Sequence, residues 1–159
     1  GKLQRNFMGY TTRRGGDMVS LGVSAIGEVA GSFVQSLPEE PEYVKKTDET
    51  GLAAYRGHAL SAEDRLRREV ILGLMCNLVL DTAAVGARHG LDFGQHFERE
   101  LSELTPLEAD GLVEVTPSAI RVTALGQLFL RNVALPFDAY YRARQAKGGD
   151  GQRTFSRTV

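Results

Sequence analysis

The sequence has one cysteine, no tryptophan and only three histidines among its 159 residues. A lone thiol, Cys76, cannot form a disulfide within the chain, which favours a reducing compartment, so we expect the protein to be cytoplasmic. His58, His89 and His96 lie 31 and 7 residues apart, and this spacing predicts no metal site made by this chain alone. Cys76 falls beside the apolar stripe of a predicted helix, so we interpret it as a packing residue and not as a nucleophile.

Long hydrophobic runs are also missing. The uncharged run at residues 70–80 has eleven residues, whereas a helix that crosses a bilayer needs about 20. No basic segment followed by an apolar one opens the chain, so we expect no secretory signal in these residues. Phosphate-binding loops, dinucleotide fingerprints and the G-x-S-x-G elbow are absent too, which leaves a nucleotide-phosphate site or a serine hydrolase without motif support.

The sequence has no large excess of either charge. Its 19 Lys and Arg residues against 20 Asp and Glu residues give a formal net charge of -1, so the molecule has no general attraction to polyanions. Residues 91–110 carry six acidic residues against one arginine, a local charge of -5 that phosphates would repel. We therefore expect neither a nucleic-acid partner nor a membrane partner.

Hydrophobic spacing predicts a long helix near the middle of the chain. Ser61 and Asp64 follow the capping-box pattern, with a hydroxyl at the N-cap and a carboxylate three positions later. They predict the start of a helix over residues 62–79. The apolar positions of this helix recur at helical spacing and form one stripe, typical of a core helix. They are Leu66, Val70, Ile71, Leu74, Met75 and Leu78.

Shorter elements are predicted on both sides of this helix. Residues 39–50 predict a helix that ends at Gly51, and residues 53–60 predict a strand. Residues 82–88 predict a second short helix, which ends at Gly90.

The C-terminal half predicts a helix, a ribbon of two strands and a final helix. The first of these has a five-residue apolar face, which consists of Phe93, Phe97, Leu101, Leu104 and Leu107. Two strands joined by a turn at residues 116–118 then lead to a helix over about 124–143, kinked at Pro136. This order predicts an α+β fold whose main part, residues 38–143, is mainly helical and winged-helix-like.

Seven of the 18 glycines lie within the first 31 residues. Apolar and small residues between them predict strands over residues 18–26 and 32–37. Because glycine allows positive φ and close backbone approach, such a region can form the wall of a binding site. Residues 144–159 are polar and glycine-rich and predict a mobile tail. The predicted divisions are therefore residues 1–37, 38–143 and 144–159.

The stretch LQRNFMGYTTRRGG near the start of the chain crowds cationic, aromatic and hydroxyl side chains together. These residues are Arg5, Phe7, Tyr10, Thr11, Thr12, Arg13 and Arg14. Such a group can bind carboxylates through guanidinium forks while it stacks against a flat apolar body. An arginine-rich surface loop without a ligand explains the same composition, so both interpretations stay open on composition alone.

Four stretches point to a known family. LQRNFMGYTT, DMVSLGVSAIG, GLVEVTPSAIRVTALGQLFLRNV and the terminal FSRTV closely resemble the C-terminal part of the oxygen-independent coproporphyrinogen III oxidases, which are radical S-adenosylmethionine (SAM) enzymes. The resemblance covers essentially the whole chain. It implies that residues 1–37 are the last strands of a partial β/α barrel and that the remaining residues form the family's helical C-terminal domain.

The resemblance also implies an activity for the complete enzyme. Members of the family use a [4Fe-4S] cluster and SAM to convert two propionates of coproporphyrinogen III to vinyl groups, which gives protoporphyrinogen IX in haem biosynthesis. One cysteine cannot replace the three of the family's C-x-x-x-C-x-x-C loop. We therefore expect this chain to be a fragment that binds no cofactor and is inactive alone. Its expected partners are coproporphyrinogen III, SAM and the remainder of the barrel.

Site residues follow from the same resemblance. The positions that match the family's SAM contacts are Phe7, Met8 and Ile26. Met8 stands where the family usually has glutamine, so only a backbone or apolar contact can remain there. Residues able to reach substrate carboxylates, judged by their chemistry, are Arg5, Tyr10 and Thr11. No catalytic residue or metal ligand is assigned to this chain.

Two other functions stay open. The first is a non-catalytic haem-binding chaperone that shares the barrel and C-terminal module, although such relatives typically lack the R-N-F-x-G-Y-T-T stretch. The second is a free-standing winged-helix interaction module, which would leave the glycine-rich first thirty residues without a role.

Overall fold

The computed structural model describes residues 3–6, 9–12 and 16–146. Helices and short strands are both present, and the predicted α+β class is confirmed. The chain divides into two compact units, Gly1–Arg68 and Glu69–Val159. In the part of the chain that the structure describes, every helix is too short or too polar to cross a bilayer.

In the described part of the first unit, five strands and one helix precede the long central helix. Their bounds are β1 Gln4–Asn6, β2 Gly9–Thr11, β3 Ile26–Val29, β4 Ser32–Ser36, α1 Glu40–Thr50 and β5 Ala54–Ala59. β1 pairs with β2, and β3, β4 and β5 form a separate three-stranded sheet in sequence order. All of these pairings are antiparallel. β5 is an edge strand, and all six of its residues are exposed.

The strand predicted over residues 18–26 is wrong in its position. Met18 makes an isolated bridge to Glu28, and the strand starts only at Ile26. The chain between them cannot stay extended because Gly22 and Ser24 have φ values of 108° and 55°. This segment is a loop, and Leu21 within it is 86% exposed.

The predicted boundary at residues 37 and 38 falls between two strands of one sheet. β4 pairs with β5 from Ser32 opposite Ala59 to Ser36 opposite Ala54. This pairing explains why the first compact unit continues to Arg68. Where the domains of a longer protein would divide remains a prediction.

The second unit contains most of the helices and a three-stranded antiparallel sheet in the order β6-β8-β7. The central helix is α2, Ala62–Asn77, and the boundary between the units lies within it. The elements that follow are β6 Val79–Asp81, α3 Thr82–His89, α4 Phe93–His96, α5 Glu98–Ala109, β7 Val113–Thr116, β8 Ala119–Val122, α6 Leu130–Ala134 and α7 Ala139–Ala146.

The capping box predicted for the central helix is confirmed. The backbone N–H of Asp64 donates to Oγ of Ser61 at 3.0 Å, and the backbone N–H of Ser61 donates to Oδ2 of Asp64 at 2.9 Å. These reciprocal bonds satisfy donors that the first turn of a helix leaves unpaired. The cap fixes where α2 begins.

The single kinked helix predicted over residues 124–143 is wrong. The segment is a 3₁₀ turn at Gly126–Phe129, then α6, then a second 3₁₀ turn at Leu135–Phe137, then α7. Pro136 lacks a backbone N–H and interrupts the helical ladder. The N–H of Tyr141 donates to Oδ1 of Asp138 at 2.9 Å, and this bond caps the N-terminus of α7. Residues 147–159, most of the predicted mobile tail, lie outside the described residues.

The core lies almost entirely in the second unit. Among the described residues, Ala53 and Leu66 are the buried apolar side chains of the first unit. Those of the second unit include Val70, Leu74, Val85, Phe97, Leu104, Val113, Ile120, Val133 and Phe137. Cys76 is buried as well, in agreement with a packing role. An unequal core means that the two units differ greatly in the free energy they gain from burial.

Gly126 has no room for a side chain. A Cβ at this position would lie 1.8 Å from the carbonyl oxygen of Leu112. The N–H of Gly126 donates to Oγ1 of Thr123 at 2.9 Å, and that hydroxyl donates to the carbonyl of Gly111 at 2.8 Å. The turn after β8 is thereby held against the start of β7.

We expect the substitution Gly126→Ala to lower the free energy of unfolding by about 3 kcal/mol or more, because the new methyl group would overlap a backbone carbonyl. Urea unfolding followed by circular dichroism measures this change. Gly94→Ala is the matched control, since its Cβ would meet the nearest atom, Oδ1 of Asp92, at 3.4 Å. Equal unfolding midpoints for the two variants would contradict the prediction.

Candidate functional site

Ile26 is the predicted cofactor contact that the structure describes, and it lies half-buried at the start of β3. β3 and β4 are joined by Ala30 and Gly31, whose φ values are 49° and 72°. Positive φ at both central residues is the requirement of a type I′ hairpin turn. The turn sets the register of the hairpin, in which Ile26 lies opposite Gln35.

The other edge of β3 is held by residues 17–20. The N–H of Met18 donates to the carbonyl of Glu28 at 2.7 Å, and the N–H of Glu28 donates to the carbonyl of Met18 at 2.8 Å. Oγ of Ser20 donates to the carbonyl of Ile26 at 2.7 Å. Oδ1 of Asp17 accepts from the N–H at position 30 at 2.9 Å. β3 is therefore fixed from both sides.

Gly27 allows residues 17–20 to lie close against β3, because it has no side chain. A Cβ on Gly27 would lie 2.7 Å from the carbonyl oxygen of Met18 and 3.3 Å from the backbone nitrogen of Ser20. Any other residue would push one segment away from the other. The glycine is a packing requirement of this wall.

A side-chain cluster lies on one face of the same sheet. The carboxylate of Glu28 accepts from both terminal nitrogens of Arg68, and the Nη2–Oε2 distance is 2.7 Å. The guanidinium carbon of Arg68 is 5.4 Å from the centroid of the Phe33 ring. Sequence reasoning missed this cluster because its members are 40 residues apart and form no local motif.

The predicted substrate residues lie on β1 and β2. Arg5 is directly opposite Tyr10, and its guanidinium carbon is 5.5 Å from the ring centroid. Thr11 is opposite Gln4, and because side chains alternate along a strand it faces the other side of the ribbon. The structure therefore brings Arg5 and Tyr10 together and separates them from Thr11. Phe7 and Met8 lie outside the described residues.

The second unit has an open cavity of about 590 Å³, lined by residues of α5, α6, the second 3₁₀ turn and α7. Two ion pairs involve residues that line this cavity, which are Arg99, Glu103 and Arg142. Nε of Arg99 is 3.0 Å from Oε1 of Glu103, and Nη2 of Arg142 is 2.7 Å from Oε1 of Glu100. Glu100 is 3% exposed, so this second pair anchors α7 to α5 and is a structural contact.

The carboxyl of Glu69 carries a clear electrostatic perturbation. Burial alone would raise its pKa, but hydrogen bonds from His89 and Arg88, together with their positive charges, outweigh burial and hold the pKa below its ordinary value of 4.5. Nε2 of His89 lies 2.8 Å from Oε2 of Glu69. The cluster links α2 to α3 within the second unit.

The donor set of this chain does not fit an iron–sulfur cluster. The sequence has one cysteine, and it is buried. Within residues 3–6, 9–12 and 16–146, no three His, Cys, Asp or Glu side chains are grouped so that they could hold a metal ion. Thiolates for such a cluster would have to come from another polypeptide segment.

Comparison with known proteins extends this picture. Residues 60–129 match the family model of the HemN C-terminal domain. The oxygen-independent coproporphyrinogen III oxidase of Salmonella typhimurium is 43% identical over 144 residues, which cover 91% of this chain and 32% of the relative. That of Helicobacter pylori is 38% identical over 158 residues, which cover 99% of this chain and 33% of the relative.

A solved structure agrees with these relatives. Coproporphyrinogen III oxidase (HemN) from Escherichia coli, a radical SAM enzyme, superposes with a TM-score of 0.85 at 42% identity, covering 87% of this chain and 32% of that chain. The chain is thus similar, over most of its length, to part of a radical SAM enzyme. The resemblance to the oxygen-independent coproporphyrinogen III oxidases is confirmed. The chain spans about a third of the length of these relatives.

We expect Gly27→Ala to loosen the wall, because its Cβ would collide with the Met18 carbonyl. Amide hydrogen exchange at Met18 and Glu28 should become about tenfold faster, as expected for easier local opening. Gly16→Ala is the control, since a Cβ there meets no atom within 4 Å. Unchanged exchange in the Gly27 variant would mean that the close approach is not needed.

We expect Glu69→Gln to lower stability at neutral pH by about 0.5 kcal/mol, a small effect because the side chain is partly exposed to solvent. A lowered folded-state pKa stabilises the protein above the unfolded value and is lost as pH falls through the folded value. The difference between variant and wild type should therefore be constant above pH 4.5 and disappear below it. Unfolding in urea across this pH range measures it. A difference that grows on acidification would contradict the assignment.

Proposed function

We propose that this chain acts as the C-terminal third of an oxygen-independent coproporphyrinogen III oxidase, a radical SAM enzyme of haem biosynthesis. The complete enzyme would decarboxylate two propionates of coproporphyrinogen III to vinyl groups and give protoporphyrinogen IX. The observation that carries the proposal is that sequence and backbone both agree with the same enzyme over most of this chain. A cytoplasmic location is part of the proposal.

SAM would be bound partly by β3. Ile26 offers a half-buried apolar contact on a strand whose backbone is held at both edges. Phe7 and Met8 are assigned to the same cofactor by resemblance alone. When bound, SAM supplies the hydrogen-atom abstraction with which the family starts its reaction. The cluster that this chemistry needs would be ligated outside this chain.

Substrate carboxylates would be bound by the ribbon of β1 and β2. Arg5 and Tyr10 share one face, and their combination of a cation with an exposed ring suits a flat molecule that carries several carboxylates. Thr11 faces the other side of the ribbon, so a contact from it would require a different part of the substrate. The chain's own residues would thus bind and orient the substrate.

The remainder of the barrel is the proposed partner of the first unit. Support comes from its sparse core, because a sheet that buries few of its own side chains needs another layer to cover it. For the second unit we propose a winged-helix-like fold, since a helix, β6, three helices and the β7-β8 hairpin follow one another. Neither a haem chaperone nor a free-standing interaction module is favoured by an observation, since the relatives described above are all oxidases.

The proposal is tested on the full-length parent protein, reconstituted anaerobically with iron and sulfide. With SAM, a one-electron reductant and an added electron acceptor, it should convert coproporphyrinogen III to protoporphyrinogen IX. Each propionate converted should release one carbon dioxide, one methionine and one 5′-deoxyadenosine, and the electron left on the substrate should pass to the acceptor. Ile26→Ala should slow SAM cleavage about five- to tenfold through lost apolar contact, with cluster absorbance unchanged. Val34→Ala on the neighbouring strand is the control, since Val34 lies opposite Gly27.

Two outcomes would contradict the proposal. A parent with an intact cluster that forms no vinyl product would not be this oxidase. A stoichiometric cluster on the 159-residue chain alone would mean that the ligands are not supplied from outside it.

A further inference from the structure

Arg68 and Glu28 form the principal charged contact between α2 and the β3-β4-β5 sheet that the described residues provide. Arg68 donates from both terminal nitrogens to the two carboxylate oxygens of Glu28. Such a fork fixes the relative orientation of the two side chains as well as their distance. Their side chains are 32% and 22% exposed, so solvent screens the pair only partly.

The pair acts on the face of the sheet that presents Ile26. Side chains two positions apart along a strand lie on the same face, so Ile26 and Glu28 share one face of β3. Phe33 lies directly opposite Glu28 in the register, and the guanidinium carbon of Arg68 lies over its ring, 5.4 Å from the centroid. Arg68 therefore holds two neighbouring strands of the hairpin through one planar group.

The backbone contacts of β3 do not restrain its tilt out of the plane of the sheet, whereas the Arg68–Glu28 pair acts in that direction. Residues 17–20 hold β3 along its edge through Met18 and Ser20. Edge contacts of this kind restrain sliding of the strand but act in the plane of the sheet. Arg68 approaches from above that plane, because both of its partners are side chains on one face. Contacts from this direction act against tilt of β3 out of the plane of the sheet, and so on the position of the Ile26 side chain.

The geometry points to Arg68 and Glu28 as positioning residues for the SAM contact made by Ile26. The inference rests on the proposed function and adds to it two residues that act through β3 without a role in the chemistry. Arg68→Lys keeps the charge but loses the two-nitrogen fork to Glu28 and the guanidinium contact with the Phe33 ring. In the reconstituted parent we expect it to raise the Kd for SAM about tenfold. The turnover number at saturating SAM should change less than twofold, because uniform binding is what has been weakened.

The experiment measures SAM binding by equilibrium dialysis with labelled SAM, together with the shift of the reduced cluster's electron paramagnetic resonance signal when SAM is added. Arg65→Lys is the matched control, because it makes the same change on the same helix and Arg65 contacts the carbonyl of Leu60. The charge-swapped double variant Glu28→Arg/Arg68→Glu should bind SAM more tightly than either single swap. That recovery would show that the ion pair itself is the cause, and cluster content that stays unchanged in the single variants would separate positioning from a loss of fold stability.

Three results would overturn the inference. Wild-type affinity for SAM in Arg68→Lys would remove the positioning role and leave the proposed function intact. Loss of cluster content in parallel with SAM affinity would indicate general damage to the fold. A double swap no better than the single swaps would mean that the ion pair itself is not the cause. Failure of the proposed function is distinguishable, since there the wild-type parent would bind SAM and form no vinyl product.

Discussion

The close approach of Gly27 to the carbonyl of Met18 is the constraint on which the candidate site depends. Because no Cβ intervenes, residues 17–20 can lie against β3 and exchange two backbone hydrogen bonds with Glu28. The hairpin turn at residues 30 and 31 fixes the opposite edge through β4. A wall built in this way holds Ile26 mainly through backbone contacts at the two edges of β3.

Local signals in the sequence predicted the elements well wherever the cause lay within a few residues. Ser61 and Asp64 gave the start of α2, and Gly51 and Gly90 gave the ends of α1 and α3, since both take positive φ as helix caps. Longer-range causes were missed. The strand β6 has only three residues and lies between two helices, so it is too short to show an alternating hydrophobic pattern. It is a strand because it pairs with β8. The prediction of one helix after β8 was wrong for two reasons. Gly126 packs against the backbone of Leu112, and Pro136 lacks the N–H that a continuous helix needs, and both effects override apolar spacing.

The candidate site divides in the same way. The opening motif led to Arg5 and Tyr10, which strand pairing places opposite each other, while their role toward a substrate stays a prediction. Thr11 was grouped with them because it is adjacent in sequence, yet adjacency in a strand means opposite faces. Arg68 could not be found from the sequence, because an arginine in an amphipathic helix resembles any solvated residue until its partner 40 positions away is known.

The edge strand β5 has a consequence for handling the protein. Among the strands that the structure describes, β5 pairs only with β4, so its other side offers hydrogen-bonding groups along Ala54–Ala59. Such an edge can recruit the same strand of another molecule into a continued sheet. Arg56 and His58 stand on that strand as polar interruptions, of the kind that natural sheets use against uncontrolled fibre growth. Ionic strength and concentration during purification therefore bear directly on whether preparations of this chain remain dispersed.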